Sequence, residues 1–206
     1  MRSKFSKKIV FALLCGFLML QVSGCATYQA LSLPMLSREF APYSAEQNGV
    51  TLSCKAFTKS DCKAYLGRDV IKKGYQPVHI AVDNETKSYL LFSLQGVGLP
   101  CVPPEEVAAK VHTSTLGRAA TYGVAGLFVW PFLIPAIVDG VGSAQANQVL
   151  DTDFAAKGTK EQVIQPYSSM NGIIFVPVAE YKEKFTVTIF DKETKEKIAF
   201  NVICRK

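Results

Sequence analysis

Residues 173–203 read IIFVPVAEYKEKFTVTIFDKETKEKIAFNVI. Three apolar, β-prone runs stand out: Ile173 to Val178, Phe185 to Phe190 and Ile198 to Ile203. Each has the length and composition of a strand. Asp191 to Lys197 is a charged turn between the last two. Three strands so close in sequence predict antiparallel pairing, because parallel strands need long crossovers.

The same reading extends toward the N-terminus. Val50, Leu52, Cys54 and Ala56 alternate with Thr51, Ser53 and Lys55, the pattern of a half-buried strand. Val78, Ile80 and Val82 alternate with His79 and Ala81, and Tyr89 to Leu94 forms a further run. The polar Asp83-Asn84-Glu85-Thr86 between them predicts a hairpin, with His79 on the more exposed face. Tyr65, Leu66, Val70 and Ile71 suit a short helix within residues 60–73, stopped by Gly74. Pro103-Pro104-Glu105-Glu106 opens another that runs to His112, with proline and acids in a first turn. Ala146, Val149, Leu150 and Phe154 share helical spacing beyond Asp139, with Ser143 as the expected start cap and Gly158 as the end.

The β segments thus flank a helical middle. The expected fold is mainly β with a helical insertion (α+β): a small antiparallel β-sandwich, immunoglobulin-like, interrupted by a central apolar helical hairpin. The insertion covers residues 103–158 within a single domain at 49–206, and residues 25–48, with Pro34 and Pro42, read as a tether.

From Ala119 to Val138 run twenty residues without a charge, AATYGVAGLFVWPFLIPAIV, bounded by Arg118 and Asp139. Twenty apolar residues match a membrane span. Ala119 and Gly123 have the small-xxx-small spacing of close helix contacts, while Pro131 and Pro135 would kink or break a helix. Three readings follow: a broken hairpin buried against the β domain or other subunits, a segment that enters the bilayer, and a loop packed in the core. An apolar stretch of this length does not stay exposed on a monomer.

The chain of 206 residues carries a formal net charge of +6. Arg2, Lys4, Lys7 and Lys8 supply four of those charges, and no acid precedes Cys25. Without them the remainder is near +2 (6 − 4). That bias is too weak for nucleic acid to be an expected partner. The four basic residues precede the apolar run Ile9 to Leu20, IVFALLCGFLML, and then Val22-Ser23-Gly24-Cys25. A basic head and an apolar stretch of about 12 residues form a signal peptide, too short for a permanent span.

Val22-Ser23-Gly24-Cys25 resembles the bacterial lipobox: an aliphatic residue, two small residues, then cysteine. The resemblance covers only the first 26 or so residues. It implies cleavage after residue 24, a diacylglycerol thioether on Cys25, and fatty acylation, palmitate included, of the new amine. Two or three acyl chains anchor stably where one does not. Ala26, in place of an aspartate, implies the outer membrane by the same resemblance, with the domain in the periplasm or at the surface. Farther on, Tyr65-Leu66-Gly67-Arg68-Asp69, Trp130-Pro131-Phe132, Pro135 to Gly140 and Ala146-Asn147 resemble uncharacterised bacterial envelope lipoproteins, a likeness that brings no activity with it.

Cys15 leaves with the signal, so Cys54, Cys62, Cys101 and Cys204 remain. An even number of cysteines outside the cytoplasm predicts disulfides, and four allow three pairings. The local choice joins Cys54 with Cys62 and leaves Cys101 with Cys204. Closer spacings such as C-x-x-C are lacking, which argues against a metal site. Asp151 and Asp153, two apart on a helix, point to different sides. The chain has no G-x-x-x-x-G-K, H-E-x-x-H or G-x-S-x-G motif, and only two histidines, His79 and His112. No catalytic residue, metal or cofactor is therefore expected.

These observations predict a lipid-anchored, non-enzymatic envelope protein that binds or scaffolds other envelope proteins. The alternatives are a membrane-inserting oligomer that uses residues 119–138 and, third, an envelope hydrolase.

Overall fold

The computed structural model describes residues 28–112 and 133–205, the side chains of 133–143 excepted. The expected signal peptide, Cys25 and most of the apolar segment, residues 119–132, lie outside the described residues. The chain divides into two units, Met1–Tyr28 with Thr113–Val149 and Gln29–His112 with Leu150–Lys206.

The second unit is mainly β, built on two antiparallel four-stranded sheets. The first sheet has the order β1-β2-β3-β6: β1 (Tyr43–Gln47), β2 (Val50–Ala56), β3 (Tyr75–Asn84) and β6 (Ser168–Pro177). The second has the order β5-β4-β7-β8: β4 (Leu90–Val97), β5 (Gln162–Ile164), β7 (Lys184–Asp191) and β8 (Lys197–Ile203). The expected strands at 50–56, 173–178, 185–190 and 198–203 are present, and Asp191 to Lys197 connects β7 to its antiparallel neighbour β8.

Alternation explains the packing. Val78, Ile80 and Val82 of β3 and Ile174 and Val176 of β6 enter the same apolar cluster as Leu90, Phe92, Val187, Ile189, Phe200 and Val202 of the second sheet. The intervening residues of β3 and β6 are buried as well: His79, Ala81, Ile173 and Phe175. A second apolar layer covers them. The stacked rings of Phe154 and Phe175 lie 5.7 Å apart, and the Phe57 ring meets Tyr65 and His79 at 5.7 and 5.9 Å. Strands β2, β3 and β6 of the first sheet are therefore largely buried on both faces, unlike strands of a sheet with one solvated side.

Three α-helices are seen among the described residues: α1 (Lys59–Leu66), α2 (Pro104–Val111) and α3 (Leu133–Lys157). Helix α1 starts on a capping box, in which Asp61 N–H donates to the Thr58 hydroxyl and Thr58 N–H donates to the Asp61 carboxylate. It ends earlier than expected, at Gly67, whose φ of 60° is left-handed. Gly74 instead closes a short 3₁₀ turn, Ile71–Lys73. Helix α3 begins ten residues before Ser143, so that residue is interior and not the cap. Pro135 falls at its third position, where the missing N–H would have no intrahelical partner anyway. Leu150 and Phe154 are buried as the spacing predicts, but Val149 is exposed. Gly158 follows at the end of α3, and a Cβ there would come within 2.1 Å of Pro104 Cγ.

Two further expectations are corrected. The hairpin across residues 83–86 does not form: β3 pairs with β2 and β6, and β4 pairs with β5 and β7 in the other sheet. Asn84 holds the crossing, its Nδ2 donating to Ser88 O and Gln165 O, while Glu85 N–H donates to Gly49 O. These bonds carry the chain from one sheet to the other in place of a ladder. Residues 43–47, assigned to the tether, are strand β1 instead. The two-residue Asn48-Gly49 turn, with φ of 52° and 74°, pairs Gln47 with Val50.

Candidate functional site

Residues 29–41 form an irregular strap on the unit that contains both sheets, and two polar centres hold it. Leu31 N–H donates to Ala64 O at 2.8 Å. Lys157 Nζ donates to Leu31 O (2.8 Å), Tyr65 O (2.7 Å) and Asp153 Oδ2 (2.7 Å). A buried ammonium is tolerated because every proton has an acceptor and one of these is a carboxylate. Asn171 forms the second centre. Its Nδ2 donates to Pro34 O (3.0 Å), and its Oδ1 accepts from Leu36 N–H (3.4 Å) and lies 2.7 Å from His79 Nε2. Because Asn171 Oδ1 is the acceptor here, His79 carries its proton on Nε2. The strap buries Leu36 and exposes Leu31, Met35 and Phe40, the last at 81%.

His79 was expected on an exposed face, and it is 2% exposed. The physical reason is the second apolar layer, which covers the face of β3 that alternation alone assigns to solvent. Burial lowers the His79 pKa, outweighing the bond to Asn171, which raises it; Lys55 pushes down and Asp61 pushes up. The folded state thus binds this proton more weakly than the unfolded chain. Stability contributed by neutral His79 is present above the unfolded pKa of about 6.5 and is lost as pH falls below it, by at most about 1.4 kcal/mol per pH unit. A thermal-stability profile should show this decline as pH falls below about 6.5, and His79→Gln should flatten it. An unchanged acid limb in the variant would refute the assignment.

His112 Nε2 lies 2.6 Å from Asp151 Oδ1, while Asp153 pairs with Lys157. The two aspartates therefore serve different partners, as their spacing predicts. Among the described residues, no group of three or more His, Cys, Asp or Glu side chains is placed to hold a metal ion.

The structure does not bring the cysteines together as expected. Cys54, on β2, faces Cys204, just beyond β8, with the two Sγ atoms 3.5 Å apart. Cys62 lies on α1, outside the apolar cluster that contains Cys54 and Cys204. Burial pushes its thiol up to about 12, against the Ile71 and Val70 backbone, which lowers it. Cys101 is half-buried, its thiol directed at Leu99 O and pushed up to about 11 by burial. All four are free thiols in this structure. The raised values make Cys62 and Cys101 poor nucleophiles at neutral pH.

Among the described residues, no helix is long and apolar enough to cross a membrane. Searches of known families and of curated proteins return no family model and no curated protein that matches the chain.

Proposed function

We propose that this is a lipid-anchored component of a bacterial cell envelope, with a non-enzymatic β domain that binds or scaffolds other envelope proteins. The observation that carries the reading is the basic head, the apolar run and Val22-Ser23-Gly24-Cys25, in that order. Acylation of Cys25 places the strap next to a lipid surface. Leu31, Met35 and Phe40, all within fifteen residues of that cysteine, present apolar side chains to the outside. Such side chains suit the headgroup boundary of a bilayer.

The two sheets are proposed to face one another as an immunoglobulin-like sandwich. Their shared apolar cluster supports the facing. The connectivity supports the type: the chain leaves the first sheet after β3, returns for β6 beside β3, and finishes with the β7–β8 pair beside β4. Sandwiches of that class pair their second and fifth strands in one sheet and their third and sixth in the other. Matching β2, β3, β4, β6, β7 and β8 to strands A, B, C, E, F and G reproduces those neighbours. Domains of this architecture commonly serve as binding modules, a likeness of fold alone.

The test is the mass of the mature protein extracted from a bacterial host. A chain that begins at Cys25 and carries a diacylglycerol and a fatty acid supports the proposal. In Cys25→Ala, incorporation of labelled fatty acid should fall to background and the uncut precursor should accumulate. A mature chain that begins elsewhere, or label retained on the variant, would overturn it.

A further inference from the structure

We infer that Cys54 and Cys204 form a disulfide that locks the end of the last strand of one sheet to the second strand of the other. The pairing rests on placement. The Sγ atoms are 3.5 Å apart although the residues are 150 positions apart in the chain, and both side chains are fully buried. Contacts to the residues just before β7 position Cys204, and a contact from β1 crosses between the sheets. Cys204 N–H donates to Glu183 O, and the Tyr181 hydroxyl donates to Cys204 O. Tyr43, the register partner of Cys54, donates its hydroxyl to Asn201 O at 2.9 Å. The Tyr43 hydroxyl and the cysteine pair therefore bridge the two sheets at one edge, and only the cysteine pair can become covalent. Closing the S–S bond needs only a small approach from 3.5 Å to about 2.05 Å.

The chemistry is thiol–disulfide exchange with an external disulfide, the kind carried by thiol oxidants outside the cytoplasm. The Cys204 thiolate attacks that disulfide, forms a mixed disulfide and expels one thiolate. The Cys54 thiolate then attacks Cys204 Sγ, forms the Cys54–Cys204 bond and expels the second. Two cysteine thiols lose two electrons and two protons, and the oxidant leaves as two thiols. Full burial means that exchange occurs before β8 docks or while it is open. As an edge strand, β8 has a single ladder partner, β7, and can open without breaking a second ladder. Cys62 and Cys101 remain reduced because their sulfurs face the Val70–Ile71 backbone and Leu99 O.

The experiment does not depend on lipidation. The full chain is refolded with oxidised glutathione, alkylated under denaturing conditions without reductant, digested and analysed by mass spectrometry. A linked pair of peptides containing Cys54 and Cys204, with Cys62 and Cys101 alkylated, is the expected result. Links from Cys54 to Cys62 or from Cys101 to Cys204, or alkylation of all four, would overturn the inference. Reductant should lower the Tm of the linked protein by about 5–15 °C, the usual yield of a disulfide closing a long loop in a chain of this size. Cys62→Ser and Cys101→Ser should retain the link, and loss of it in both would also overturn the inference.

Discussion

Phe154→Ala should lower the unfolding free energy by about 3–5 kcal/mol, the usual cost of truncating a buried aromatic. The Phe154 side chain is completely buried, and its ring stacks on Phe175 with centroids 5.7 Å apart and planes 8° from parallel. Truncation removes both the transfer energy of the ring and its contact with β6, and it leaves a cavity that a sheet and a helix cannot easily close. Thermal denaturation followed by circular dichroism should show a Tm fall of roughly 6–20 °C. Val149→Ala is the control, because Val149 is 56% exposed, and it should shift stability by no more than about 0.5 kcal/mol. Equal effects from the two substitutions would mean that the last turns of α3 do not dock through Phe154.

Lys157→Met should cost about 2–4 kcal/mol and release the strap. Methionine keeps much of the stem, so the change tests the ammonium rather than the volume. Without it, the Leu31 and Tyr65 carbonyls lose a donor and the Asp153 carboxylate loses its cation. Asp153 is 25% exposed, so water repays part of the loss, which keeps the figure below that of a fully buried pair. Hydrogen exchange should speed up at residues 29–36, the segment held by Lys157 and Asn171, while β2 and β3 stay protected. Unchanged exchange in the strap would show that Lys157 does not hold it.

Much of the β architecture was legible because alternation is a local property. Val78, Ile80 and Val82 announce one buried face whatever they pack against. The same rule failed for His79, because a second apolar layer covers the other face, and residues far off in sequence supply that layer. Strand β1 was missed although Asn48-Gly49 is a strong two-residue hairpin signal between Gln47 and Val50. The flanking YSAEQ lacks apolar alternation, so periodicity passed it over. At residues 83–86 the error ran the other way. A polar turn between two strands reads as a hairpin, but Asn84 uses its side chain to route the chain into the other sheet. For α3, helical spacing placed Leu150 and Phe154 inside, but the exposed Val149 shows that spacing alone does not set the width of a buried stripe.

The cysteines mark the same divide. Sequence proximity favoured Cys54 with Cys62, since short loops close readily. Once two sheets share a core, however, distance along the chain no longer governs distance in space, and Cys204 becomes the neighbour.

The amino-acid order alone determined six of the eight strand positions, all but β1 and β5, together with the helices α2 and α3 between the strands and the basic, apolar and cysteine-bearing N-terminus, because each depends on residues within a turn or a pleat of one another. Tertiary structure alone decided which strands share a sheet, which cysteines face, why His79 is buried and how the strap is held. Each of those depends on surfaces that meet only after distant parts of the chain have packed.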